Sequence, residues 1–362
     1  MMTLADFFRS LQKEPAKRGL FFSLWLLAFL FSCTTAEEQS HRYEGQTMGT
    51  TYHVTVVAST VPDDLGEAIF AALHQVDLAM SNWKEDSDVS HINRSPAGFI
   101  EISAATREVL SLSKQIHAWT DGAFDPTLGA LIEAWGFATK ERAGFPDPDT
   151  IDQLLRTHRF DAFSLSGTTV EKKSASLSLN LSAIAKGYGV DQVAAMLKSR
   201  GFHRFLVEVG GEIVVSGTNA QQAPWRIGIE TPKRQSETGP LERAVFDVAH
   251  LTEGAMATSG NYRIYFEHQG KYYSHIIDPR TGYPTTSKVL SATVVAPDCA
   301  TADALATAFM ILDPDQSLAL CHRLPGVDCL ILSGDPSTAL EHYQTFFSAG
   351  MHTYLSTDGN HH

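Results

Sequence analysis

In TYHVTVVAS, from Thr51 to Ser59, apolar and polar positions alternate with the period of a half-buried strand. The period then changes. Leu65, Ile69, Leu73, Val76 and Met80 recur at helical spacing, which predicts an amphipathic helix from Leu65 to Met80. A second helix is predicted from Ala104 to Trp119, stopped by Asp121-Gly122. A loop rich in Pro and Asp (GFPDPDT) leads to a short helix from Ile151 to Arg156. SLSLNL reads as a strand, and the stretch from about Ala183 to Arg200 as a helix ended by Gly201. FLVEVGGEIVVSG reads as two strands around Gly210-Gly211. RIGIE, AVFDVA, RIYFEH, KYYSHII and SATVVAP continue the strand pattern. A helix from Thr301 to Leu312, a strand at CLILS and a short terminal helix follow. Strands and helices do not alternate strictly, which argues for an α+β fold rather than a doubly wound sheet. The sequence contains no internal repeat, no GxGxxG and no GxxxxGK[ST], so ordinary dinucleotide and P-loop readings lack support.

The 362 residues suit one large domain or two lobes, and 43% hydrophobic with 19% charged residues fits a globular core. A net charge of -13 argues against a nucleic-acid binder, which needs clustered Lys and Arg. It leaves room for a phosphate ligand held by a few local groups and a metal. At the amino terminus, Arg9, Lys13, Lys17 and Arg18 precede an apolar run from Gly19 to Phe31. That run is short for a membrane span and reads as a signal-peptide core. It ends in Leu30-Phe31-Ser32-Cys33, which resembles a lipobox, with Phe31 bulkier than is usual there. Cys33 is therefore expected to be the lipidated mature terminus; an uncleaved anchor helix with an incidental Cys is the alternative. On this reading residues 1–32 are a lipoprotein signal peptide, 33–45 a polar tether, 46–350 the functional domain and 351–362 a tail. The protein is then expected on the periplasmic side of a bacterial envelope, anchored by lipid, at the inner membrane. The remaining Cys299, Cys321 and Cys329 are odd in number and make no disulfide scaffold. Cys321 and Cys329 either pair after export or stay as buried thiols.

Six segments carry candidate chemistry. In SATVVAPDCATADALATAFMIL, Asp303 and Thr307 lie four apart on one helical face. A carboxylate, a hydroxyl and nearby carbonyls are hard oxygen ligands suited to Mg²⁺. The ordinary alternative is an Asp placed for the helix dipole and an incidental Thr. NLSAIAKGYGVD opens a helix, whose N-terminus suits phosphate, with Lys186 one turn inside. Gly187 and Gly189 weaken that helix and make sense if a ligand or a neighbouring backbone comes close. In YYSHIIDPRTGYP, His275 sits at a strand end beside a strong turn signal, either structural or catalytic. DGAFDPTLGALIEAWGF bends with Phe124 and Asp125 at its tip, QTMGT is a turn, and MSNW puts a planar ring at a helix end. Met and aromatic side chains there either sandwich a flat ring or are core.

Eight pieces in order, MGTTYHVTV, MSNWKEDSDVSHIN, DGAFDPT, LSAIAKGYGVD, VEVGGEI, SGNYR, HIIDPRTGYP and ATADALATA, resemble the ApbE family of FAD:protein FMN transferases over roughly residues 46 to 312. Each piece is modest; their order and number make the resemblance specific. It implies a two-lobed α+β fold of mixed or antiparallel sheets with packed helices. It also implies that FAD is the substrate, Mg²⁺ the metal, and a Thr or Ser hydroxyl of another protein the acceptor, typically in quinone reductases or related electron-transfer complexes. The matching positions imply metal ligation by Asp303 and Thr307, with backbone carbonyls of Ala183 and Ala306. They imply FAD contacts at Met48, Trp83, Ala123, Phe124, Asp125, Asn180, Lys186 and Ile277. His275 is the expected base. Asn180 stands where the family usually has Asp, and Trp83 where Tyr is commoner. Hydrolysis of FAD to FMN and AMP, and flavin binding without catalysis, are the competing functions.

Overall fold

The computed structural model describes residues 37–137, 145–232, 244–261, 265–268, 271–335 and 343–355. The expected signal peptide and Cys33 lie outside them. Residues Ser40–His362 form one compact unit. The chain opens with β1 (Gln39–Thr47) and β2 (Thr50–Ala58), joined by Met48 and Gly49 at φ 48° and 74°. Two left-handed residues make the tight hairpin turn that matches strand twist. Then come α1 (Leu65–Met80), α2 (Asp88–Arg94), β3 (Gly98–Glu101), α3 (Ala104–Trp119), α4 (Gly129–Ala134) and α5 (Pro148–Thr157). The hairpin β4 (Phe163–Ser166) and β5 (Thr169–Lys172) precedes α6 (Ala185–Ser199), β6 (Phe205–Val209) and β7 (Glu212–Ser216). β8 (Trp225–Glu230), β9 (Val245–Leu251), β10 (Glu253–Gly260), β11 (Tyr265–His268), β12 (Lys271–Ser274) and β13 (Val289–Ala296) follow. The chain closes with α7 (Cys299–Phe309), α8 (Pro314–Arg323), β14 (Asp328–Gly334) and β15 (Tyr343–Phe347).

The main sheet has eight strands in the order β1-β2-β6-β7-β10-β13-β14-β15. Its described pairings from β2 onward are antiparallel, with Val54 opposite Val207 and Val207 opposite Val214. Successive side chains of a strand point to opposite faces, and both faces here are apolar. Val56, Val214, Ala257, Val294 and Ile331 join one hydrophobic cluster, with Leu73 of α1, Val190 of α6 and Leu305 of α7. Their strand neighbours Val57, Val215, Met256, Val295 and Leu330 join a second, covered by Ile227 and Ile229 of β8 and Ala249 and Leu251 of β9. Helices therefore cover one face and a two-stranded ribbon the other, which is the expected α+β class with antiparallel sheets and packed helices.

Three boundaries differ from the sequence reading. The expected tether contributes a strand: β1 begins at Gln39 and joins the sheet, with His41 Nε2 3.2 Å from the Ala58 carbonyl. SLSLNL is no strand of a sheet; Ser178 makes a single parallel bridge to Leu128. Among the described residues no terminal α-helix follows β14; β15 and a 3₁₀ turn from Met351 to Thr353 stand there, with Met351 and Leu355 buried in the second cluster, so the described part of the tail packs with the fold. The described cysteines, Cys299, Cys321 and Cys329, are buried free thiols. No helix among the described residues is long and apolar enough to cross a membrane.

Candidate active site

The helices α6 and α7 cross at their N-terminal ends, and glycine makes this possible. A Cβ on Gly187 would collide with the Cys299 carbonyl and come within 2.9 Å of Ala300 Cα. Asp191, one turn on, accepts the Cys299 and Ala300 N–H groups at 2.8 and 2.9 Å. Asp298 caps the same helix through Thr301 N–H at 2.8 Å. These carboxylates satisfy N–H groups that have no partner inside the helix. Burial pushes Asp191 up to about 7, against the pull of the Cys299 and Ala300 hydrogen bonds.

This crossing delivers the charged centre. Asp303, 3% exposed, accepts the Gly187 N–H through Oδ2 at 3.0 Å. Lys186 Nζ lies 3.6 Å from Asp303 Oδ1 and 2.6 Å from Glu212 Oε1. Burial opposes the Lys186 charge, but Asp303 and Glu212 more than offset it, and its pKa rises. Burial raises the Glu212 pKa as well, toward protonation, with Lys186 opposing and Asp303 reinforcing the shift. Glu212 Oε2 is buried with no hydrogen-bond partner among the described residues. Thr307 Oγ1 lies 3.2 Å from Ser259 Oγ.

A cavity of about 420 Å³ surrounds this centre. Ala123, Phe124, Asp125, Asn180, Ala183, Lys186, His275, Ile277, Asp303 and Thr307 all line it. A second cavity of about 640 Å³ holds Met48 and Trp83. Ser182 and Lys186 line both, so the two are neighbours across Lys186. Trp83 is 63% exposed, an open ring rather than a core residue. Ala306 is fully buried in the core and lines neither cavity, so any role it has is through its carbonyl. The Asp125 carboxylate is taken up by Thr127 N–H at 2.8 Å, Thr127 Oγ1 at 2.6 Å and His158 Nε2 at 2.9 Å. It shapes the turn. His117 Nδ1 holds the Phe124 carbonyl at 2.9 Å, fixing the same wall.

His275 lies just beyond β12, not within it, and its backbone neighbours are pinned. Thr285 N–H donates to the Ile276 carbonyl at 2.8 Å, and Asp278 N–H to Tyr283 at 2.9 Å. Arg280 pairs with Asp278, with Nη2 2.7 Å from Oδ2, and Trp135 Nε1 donates to the Gly282 carbonyl at 2.8 Å. Gly282, at φ 72°, gives the turn its left-handed residue. Helix α6 begins at Ala185 with Ser182 and Ala183 in the turn before it, so Lys186 belongs to the first turn.

Among the described residues no three His, Cys, Asp or Glu groups form a protein-only metal site. Mg²⁺ seldom uses one; it takes one or two carboxylates and completes its shell with substrate phosphates and water. Asp303, Thr307 and Ser259, with the unpartnered Glu212 oxygen, are donors of that kind. Two carboxylates face one ammonium here, so a phosphate dianion entering the cavity needs further positive charge.

Residues 48–331 match the ApbE family. The chain belongs to the ApbE family. An FAD:protein FMN transferase of Vibrio cholerae serotype O1 is 37% identical over 309 residues, covering 82% of this chain and 90% of that one. One from Haemophilus influenzae is 40% identical over 291 residues, covering 77% and 82%. The solved flavin transferase ApbE from Vibrio cholerae superposes with a TM-score of 0.77 at 30% identity, covering 88% of this chain and 100% of that one. The apo flavinyl transferase ApbE of Pseudomonas stutzeri gives 0.78 at 31%, covering 90% and 100%. This ApbE-family chain is thus an enzyme of the flavin-transferase type. Its sequence already pointed to these ten cavity residues; it did not single out Glu212, Thr258 or Ser259, which line the cavity as well, or His158, which holds Asp125 from behind the wall. Glu212 sits inside the ApbE-like piece VEVGGEI, where two glycines draw attention to the turn rather than to the carboxylate.

Proposed function

We propose that this enzyme transfers FMN from FAD to a Thr or Ser hydroxyl of an acceptor protein, with Mg²⁺ in the charged cavity. One observation carries the reading: a single cavity gathers a hard-oxygen set, a lysine and a pinned histidine beside a wall that can take a flat ring. Asp303 and Thr307, with the Ala183 carbonyl, would hold Mg²⁺, which supplies charge neutralisation at phosphate oxygens when bound. Lys186 adds a fixed positive charge to the same place. Phe124, Ile277 and Trp83 offer surfaces for the rings of FAD. His275 takes the proton from the acceptor hydroxyl as its oxygen bonds to the FMN-side phosphorus. The bond from that phosphorus to the bridging oxygen breaks, and AMP leaves with that oxygen. FMN stays on the acceptor as a phosphoester. Acceptors in quinone reductases and related membrane redox complexes fit an enzyme tethered through Cys33 at the periplasmic face of the inner membrane.

The test follows AMP release from FAD with and without an acceptor peptide, with and without EDTA. The reading expects release to need the acceptor and Mg²⁺, and Asp303→Ala to lose it. AMP release at full rate without any acceptor points to hydrolysis, and full activity of Asp303→Ala in chelator removes the metal assignment.

A further inference from the structure

We infer that Glu212 is a positioning residue that keeps Asp303 open to a divalent cation by holding Lys186 away from it; the inference rests on the cation reading proposed above. Lys186 is shared unequally, 2.6 Å from Glu212 and 3.6 Å from Asp303. The first is a hydrogen bond; the second is an ion pair without one. An ammonium on a flexible four-carbon stem has three donors and settles on the nearest strong acceptor. Glu212 cannot follow it. It is the first residue of β7, 4% exposed, paired in register with Val209, and preceded by Gly210 and Gly211 at φ 61° and 104°. Asp303 is also fixed, because the Gly187 N–H holds Oδ2. Its other oxygen, Oδ1, is the one that faces Lys186, and it is the one left for a cation.

Removing the Glu212 charge leaves Asp303 as the nearest carboxylate to Lys186. Attraction grows as separation falls, so the ammonium closes on Oδ1 and occupies the place of the cation. A simpler role for Glu212 makes a different forecast. If its unpartnered Oε2 binds the cation, or its charge merely attracts it, the effect of losing it does not depend on Lys186.

The experiment is Mn²⁺ titration of the full-length protein without FAD, followed by the electron paramagnetic resonance of free Mn²⁺. Four proteins are compared: unaltered, Glu212→Gln, Lys186→Met, and the double variant. Circular dichroism checks that each is folded, and Lys186→Gln replaces Lys186→Met if that one is not. Glu212→Gln is expected to weaken Mn²⁺ binding by about tenfold or more, the scale of one charged hydrogen bond. In the Lys186→Met background the same change is expected to cost less than about twofold, because the interfering ammonium is gone. Equal losses in both backgrounds, or no loss in Glu212→Gln alone, overturn the inference while leaving the cation site standing. No Mn²⁺ binding by the unaltered protein removes the cation reading and this inference together.

Discussion

Gly187 and Gly189 stand two apart in α6, and the same substitution is expected to act oppositely at the two. Alanine returns up to about 1 kcal/mol of helix propensity at either position. At Gly187 the new methyl meets backbone, the Cys299 carbonyl and Ala300 Cα, which cannot swing aside. Overpacking of this kind costs about 1–3 kcal/mol, and backbone contact places it at the upper end. Pushing α7 back also stretches the Gly187 N–H bond to Asp303, worth about 1.5–3 kcal/mol as a charged hydrogen bond. The net expectation is a loss of about 2–4 kcal/mol, after the propensity gain, together with a misplaced Asp303. At Gly189 the methyl meets the Met48 Cε at 2.7 Å, the free end of a flexible side chain. Propensity gain and a shifted methionine then offset each other to within about 1 kcal/mol. Urea unfolding followed by circular dichroism, with flavin transfer at saturating FAD, measures both. A Gly187→Ala protein as stable and active as Gly189→Ala would refute the account of the α6–α7 crossing.

Three further outcomes are expected. His275→Asn should slow single-turnover transfer by about 10²–10⁴-fold with FAD affinity nearly kept; equal loss of both would make His275 a structural or FAD-positioning residue. Asp191 is raised from 3.8 to about 7 by burial, so its contribution is complete below about pH 4 and lost as pH rises through about 7. Unfolding free energy should therefore fall over that window in the unaltered protein and fall less in Asp191→Asn; parallel pH profiles would contradict this. Cys33→Ser should abolish lipid labelling and release the protein from membranes, and a mature, unlabelled terminus downstream of Cys33 in the unaltered protein would exclude the anchor.

Where a pattern had one physical cause, the sequence showed it. Leu65–Met80 and Ala104–Trp119 are helices with the expected ends, because an apolar stripe marks the first and Asp121-Gly122 stops the second. SLSLNL misled because Leu177, Leu179 and Leu181 are buried in strand-like alternation without a strand beside them. There the side chain of Asn93 takes the place of a neighbouring strand, accepting Leu179 N–H at 2.7 Å and donating to its carbonyl at 2.9 Å. β10 (EGAMATSG) was missed because a strand buried on both sides needs no alternation, and Ala255, Met256 and Ala257 are all buried. β1 was hidden by polar composition, although Tyr43 packs against the core and over Gly66. In the site, residues in sequence-adjacent clusters were legible. Glu212, Ser259 and His158 meet Lys186, Thr307 and Asp125 across 26, 48 and 33 residues, and no local pattern encodes such pairings.

Covalent transfer of FMN to a protein hydroxyl leaves a mass signature on the acceptor. Its most direct measurement is mass spectrometry of a candidate acceptor after incubation with this enzyme, FAD and Mg²⁺. Beside it runs the same acceptor with the target Thr or Ser replaced by Ala. The expected result is FMN joined through phosphate to that hydroxyl, one AMP released per FMN attached, and neither product with the Ala acceptor. An acceptor that stays unmodified while FAD is cleaved to free FMN and AMP, or while FAD remains whole, would contradict it.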